Sequence, residues 1–176
     1  QGGGQKGDRG TIMGEVVTSA KHTATGGVLH TLAGPTDMVV GQEVDLAIDR
    51  LWRGINANLH SGGHLIAAAG ESLFPALRAV SGHHWEGEAR VEFAGDDRPD
   101  TNVFKEALEI KLGEDISSGL TIRVIGEPYS DRSIQIGDYE AVPCGGTHAE
   151  STAHLGKIEI TRVRVKSKRL RVSYTI

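Results

Sequence analysis

Two pairs of metal-type ligands, each with its members four residues apart, lie far from one another in this chain. They are His60 and His64 in "LHSGGHLI", and Cys144 and His148 in "AVPCGGTHAEST". A fold that serves both pairs must bring its middle against its last quarter. On a helix, side chains four apart differ by about 40° in angle and one turn in height, so two imidazoles can reach one ion. "CGGTH" is a poor helix, because Gly145 and Gly146 each cost up to about 1 kcal/mol there. A loop instead folds thiolate and imidazole back on one point. Three histidine nitrogens and one thiolate suit Zn²⁺, which takes four such ligands in a tetrahedron.

Each pair alone has an ordinary reading. H-x-x-x-H can be a partly buried core histidine beside a surface one, and a free cysteine is usually an inert buried thiol. Two independent pairs at matched spacing weaken both readings. The peptidase motif H-E-x-x-H is excluded, since Ser61 stands where it needs a glutamate.

Composition narrows the setting. One cysteine in 176 residues forms no internal disulfide and fits a reducing compartment. No apolar run approaches the roughly 18 residues of a membrane span, and no secretory segment is visible. A cytoplasmic protein with no membrane partner is expected. A net charge of −4 makes no global case for nucleic-acid binding. The local case is "RVRVKSKRLR", where Arg162, Arg164, Lys166, Lys168, Arg169 and Arg171 give one hairpin enough cations for several phosphate contacts. A solvated, edge-protecting strand is the competing reading.

Along the chain, "QGGGQKGDRG" reads as loop, followed by strands over Thr11–Val17, Val28–Leu32 and Met38–Leu46. They compose a small β module over residues 1–48. Ile55, Leu59, Ile66, Leu73 and Leu77 then share one helical face from Trp52 to Val80, with a kink or break near Pro75. Ala89–Gly95 is a strand and Asp100–Ile116 a helix with an N-cap. "LTIRVIGE" and "RSIQIGDYEAVP" are strands, the second with a turn in it. The end is a hairpin whose first arm slips parity, placing a β-bulge near Thr161 and Arg162. The expected fold class is α+β: helices packed on one face of an antiparallel sheet over residues 49–176, after an N-terminal β module that an incomplete β-barrel would satisfy.

"HSGGH" and "CGGTH" resemble the two ligand pairs of the editing domain of alanyl-tRNA synthetase and of its free-standing AlaX-type trans-editing relatives. The likeness extends to "GGGQKGDRG", with Lys6 where proline is usual in that family, and to "RSIQIGDYEAVPCGGTH" and "GKIEITRVRVKSKRLRVSY". Threonyl-tRNA synthetase editing domains share that fold but differ after the cysteine, so "CGGTH" favours the alanyl branch. In the family a stretch of strand precedes the Gly-rich segment. Residues before Gln1, and hence an incomplete β module, are expected.

The resemblance implies hydrolysis of a wrong aminoacyl ester, seryl or glycyl, from tRNA charged for alanine. Zinc then either acidifies a water or holds the substrate. Gly145 and Gly146 are candidate N–H donors to the ester carbonyl, or residues of a tight turn needing positive φ. His83 and His84 are candidates for the zinc pocket, where relatives place residues that touch the amino acid. A surface histidine pair competes. Thr147 is placed to bond a seryl hydroxyl or to shape the ligand loop, and Gln5 and Asp8 reach the pocket from the β module. His22, His30 and His154 read as solvated, His154 being the substitute for His148 if the loop folds differently. Two other functions stand beside trans-editing. One is an editing fragment of a full synthetase, which the strand-like "LRVSYTI" at the end disfavours. The other is a zinc-stabilised binding module without catalysis. No phosphate-cradling loop is present for charging tRNA.

Overall fold

A computed structural model describes residues 4–127 and 131–176, so Gln1–Gly3 of the Gly-rich segment lie outside the described residues. The first strands form at turns that glycine permits. β1 (Gly10–Ile12) reverses through Met13 and Gly14, both at positive φ, into β2 (Glu15–His22). The strand expected over Thr11–Val17 is therefore a hairpin. β3 (Val28–Leu32) pairs with β2, and β4 (Leu46–Ile48) pairs with β1. The segment expected as a strand from Met38 is irregular until Leu46. Gly41 takes φ 87° within it, a conformation that ends a strand. The order β3-β2-β1-β4 is an open sheet, not a closed barrel.

Helix α1 (Arg50–Leu73) starts where the Asp49 carboxylate accepts from Trp52 N–H at 2.9 Å. It stops before Pro75, whose ring disfavours the helical conformation at Phe74. The helical pattern from Trp52 to Val80 is thus broken at Pro75, as expected. Residues 78–83 instead form β5 (Arg78–His83), fixed by pairing with β6 (Arg90–Ala94), which local periodicity does not reveal. Between Asn56 and Gly70 the helix is buried around nearly its whole circumference. Small residues permit this: a Cβ at Gly70 would stand 2.7 Å from the Phe93 ring. Helix α2 (Thr101–Ser117) is capped by Asp100 and buries Phe104, Leu108 and Leu112, four residues apart.

β7 (Ile122–Ile125), β8 (Ser133–Ile136) and the two-residue β9 (Val142–Pro143) form a small sheet that ends at Cys144. A 3₁₀ turn at Thr152–Leu155 leads to β10 (Glu159–Lys166) and β11 (Arg169–Thr175). Their register shifts between Ile160 and Arg162, the expected bulge. The main sheet runs β10-β11-β6-β5. Leu170, Val172 and Tyr174 alternate inward along β11 and meet Val91, Phe93, Ile160 and the apolar faces of both helices. This is the expected α+β class, and each buried large side chain contributes about 1.5–3 kcal/mol. No helix among the described residues is long and apolar enough to cross a membrane.

Candidate metal centre

One turn of α1 presents His60 and His64 with their Nε2 atoms 3.1 Å apart. Gly62 and Gly63, between them, serve packing: a Cβ at Gly63 would overlap the His84 ring, and one at Gly62 would press on Ile176. The second pair arrives on the loop after β9. Cys144 N–H donates to the Arg132 carbonyl at 3.0 Å, extending the β8–β9 ladder to the ligand itself. Arg132 Nη1 also donates to the Gly145 carbonyl at 3.1 Å, and Ala149 N–H donates to Ser61 Oγ at 2.9 Å, tying the end of the loop to the helix. Cys144 Sγ then lies 3.3 Å from His64 Nε2, 3.5 Å from His60 Nε2 and 3.4 Å from His148 Nε2. All four ligand atoms fall within 4.8 Å of one another.

These spacings fit one ion. Tetrahedral bonds of 2.0–2.1 Å to nitrogen and 2.3 Å to sulfur separate neighbouring ligand atoms by roughly 3.3–3.6 Å. Burial holds the histidines neutral, as ligands must be. It lowers His60 to about 4, and His64 and His148 to about 3, with the neighbouring histidines adding to the latter two. Burial also raises the Cys144 thiol, and a bound cation reverses that effect by favouring the thiolate.

Gln5 completes the arrangement from the β module. Its Oε1 accepts from His60 Nδ1–H at 2.9 Å and from Thr147 N–H at 3.0 Å, and its Nε2 donates to Thr147 Oγ1 at 2.6 Å. Fixing the proton on His60 Nδ1 leaves Nε2 free for the ion. Gln5, expected at the substrate, thus positions a ligand, and the Thr147 hydroxyl accepts from it. The glycines do not serve a turn that needs positive φ. Neither Gly145 nor Gly146 takes a positive φ. A Cβ at Gly146 would overlap the His60 ring, so close approach explains that residue, and its N–H points at Cys144 Sγ, 3.5 Å away. Gly145 faces open space.

His84 lies where it was expected, beside the cluster, with its ring 4.9 Å from that of His60. Tyr174 Oη donates to the Leu59 carbonyl at 2.6 Å, so it accepts from His84 Nδ1–H at 2.8 Å and leaves His84 Nε2 as a lone pair. Burial lowers His84 to about 3, which makes it a neutral hydrogen-bond acceptor and a weak base. His83 turns away, 3.5 Å from Glu88 and against Trp85. Asp8 pairs with Arg53 at 3.1 Å. His22, His30 and His154 are exposed, as expected. The sequence reading missed Arg132, Ser61 and Tyr174. Nothing local marks them, since each acts on a residue distant in the chain.

Two cavities meet at the ligand loop. One, of about 830 Å³, is lined by His60, His64, Cys144, Gly145 and His84. The other, of about 540 Å³, lies against the N-terminal sheet and includes Gln5, Gly145, Gly146 and Thr147. None of the cationic hairpin residues lines either cavity. β5 borders the first cavity at one edge of the main sheet and β10 is the opposite edge. Arg169 and Arg171 are also engaged by Glu92, at 3.1 and 2.8 Å.

Residues 132–172 match the family described as the threonyl and alanyl tRNA synthetase second additional domain. The chain is 32% identical over 160 residues to the alanyl-tRNA editing protein AlaX-M of Pyrococcus horikoshii, covering 90% of this chain and 73% of that protein. It is 31% identical over 196 residues to AlaX-L of the same organism, covering 99% of this chain and 48% of the relative, so it spans about half that protein's length. Identity to the alanine–tRNA ligase of Streptococcus pneumoniae is 28% over 184 residues, which is 91% of this chain and 21% of the ligase.

Proposed function

The chain belongs to the alanyl-tRNA editing family, and from that premise we propose that it is a zinc-dependent hydrolase that removes seryl or glycyl groups in trans from tRNA charged for alanine. The observation that carries the proposal is that three of the four clustered ligand residues, His60, His64 and Cys144, line a cavity of about 830 Å³. Ligands that open on a cavity suit a site that works on a substrate once one of the four yields its position, since a zinc closed by four protein ligands is structural. When bound, zinc supplies Lewis-acid chemistry, polarising an ester carbonyl or bringing the pKa of water toward about 7.

The chain's own residues supply orientation. Gln5 sets the His60 tautomer, and Arg132 and Ser61 hold the loop that carries Cys144 and His148. Tyr174 aims the His84 lone pair. Gly145, without a side chain, lets an ester approach the cluster. An aminoacyl ester is already activated, so these groups need to lower only a modest barrier.

Discrimination of serine from alanine cannot be steric, because serine exceeds alanine by one oxygen, whereas glycine would be selected by a different device, such as a small pocket. A site built to bond a hydroxyl rejects the analogue lacking it, since its own polar groups are then left unpaired. Thr147 is bonded to Gln5 and faces the other cavity, so it is a poor reader of that hydroxyl. His84 Nε2 and the ion are the better candidates. Deacylation of seryl-, glycyl- and alanyl-tRNA, with and without chelator, tests the proposal. Seryl or glycyl release should far exceed alanyl release and stop on chelation. Fast alanyl release would refute it, and unfolding on chelation without hydrolysis would indicate a zinc-stabilised binding module.

A further inference from the structure

The two cavities that share Gly145 have opposite electrostatic character. Carboxylates line the metal cavity, with Glu71, Asp138 and Glu140 against the single guanidinium of Arg78. The cleft on the other side is lined by Lys6, Arg9 and Lys21, with His22 and His30 beside them, and its one carboxylate, Asp8, is paired with Arg53. Among the described residues, no carboxylate lies within ion-pair distance of Lys6, Arg9 or Lys21. Two of these cations are held in place by the chain's tryptophans. The Arg9 guanidinium sits 3.4 Å from the Trp52 ring centre, and the Lys6 ammonium lies 4.9 Å from Trp85 and 5.5 Å from Trp52.

An aminoacyl-tRNA terminus has matching polarity, with an ammonium group on one side of its ester and phosphodiesters on the other. We infer that the cleft between the N-terminal sheet and the ligand loop binds the phosphodiester backbone of the single-stranded RNA end through Lys6, Arg9 and Lys21, while the amino acid enters the acidic cavity across Gly145. This rests on the hydrolase reading above, and it moves the nucleic-acid contacts from the β10–β11 hairpin to the Gly-rich segment and β2. Pre-positioned, unpaired cations favour this, since phosphate binding gains by releasing counterions, whereas Arg169 and Arg171 already have Glu92.

The experiment measures binding of uncharged tRNA over a salt series, so it does not depend on deacylation. The triple variant Lys6→Glu, Arg9→Glu, Lys21→Glu should bind at least tenfold more weakly. Its log–log salt slope should be shallower by about 2, from three contacts at roughly 0.7 each. Zinc content reports whether the ligand cluster survives, and the milder triple change to Gln should give a smaller loss in the same direction. A hairpin variant, Arg162→Glu, Lys166→Glu, Lys168→Glu, should bind like the parent. The inference is overturned if the hairpin variant loses binding while the cleft variants keep it, or if neither changes the slope. Absence of deacylation with intact, cleft-dependent binding would instead remove the hydrolase reading and keep the cleft.

Discussion

The β module and the rest of the chain are stabilised by different means. From Leu59 onward the large apolar residues form one continuous core in which Phe93, Phe104, Leu108 and Leu170 are wholly buried. Among the described residues of the module Ile12 is the one buried large apolar residue, while Val28, Leu29, Leu46 and Ile48 are exposed. What joins the module to the core is polar, through the Gln5 side chain, the Asp8–Arg53 pair and backbone carbonyls. His84 N–H donates to the Gly4 carbonyl, Trp52 Nε1–H to the Gly7 carbonyl and Asp49 N–H to the Arg9 carbonyl, each at 2.9–3.0 Å. The core therefore holds the four ligand residues in register, and the module supplies Gln5, which fixes the His60 tautomer, and the cations proposed to meet the RNA. Weak packing is tolerable where the contribution is a few directed bonds.

Truncation sharpens that contrast most. Phe93→Ala should cost about 3–5 kcal/mol in a urea titration, whereas Leu29→Ala should stay within about 0.5 kcal/mol. Equal costs would mean the module shares the core. Next in size, Cys144→Ala should lower deacylation at least ~100-fold, beyond the 10–100-fold typical of an outer partner. Melting curves with and without chelator should stay close to one another, and a collapse of the fold on zinc removal would mark the zinc as structural. Gln5→Ala tests the joint itself. Zinc affinity, followed by competition with a chelating dye, should fall about 10–100-fold through loss of the His60 tautomer. An unchanged affinity would show that the module is only attached.

Acid acts on the buried side of the comparison. The buried histidines have folded pKa values of about 3–4, below the unfolded 6.5. Below pH 6.5 the unfolded chain takes up protons that the folded chain refuses. The metal-free protein is then at full stability above about 6.5 and loses it as pH falls toward 4. Its melting temperature should be lower at pH 5 than at 7.5, and a flat profile would mean the histidines are solvated.

What could be read from the sequence follows the same division. The ligand pairs and the bulge at Ile160–Arg162 were legible because four-residue spacing and strand parity are local signals. β5 was not, because Ala79 and Val80 continue a helical pattern and only pairing with β6 makes them strand. The role of Gln5 was also hidden. Its partners His60 and Thr147 are 55 and 142 residues away, and a glutamine in a glycine-rich loop carries no mark of either. Gly146 is a related case, since the need for glycine there comes from the His60 ring and not from its own φ.

The central claim is that α1 and the β9 loop converge on a single ion, and X-ray absorption on zinc-loaded protein tests it directly. The account predicts a first shell with one sulfur at about 2.3 Å and nitrogen scatterers at about 2.0–2.1 Å, with the sulfur lost in Cys144→Ala. A shell of oxygen and nitrogen alone in the parent protein, unchanged by that substitution, would contradict it.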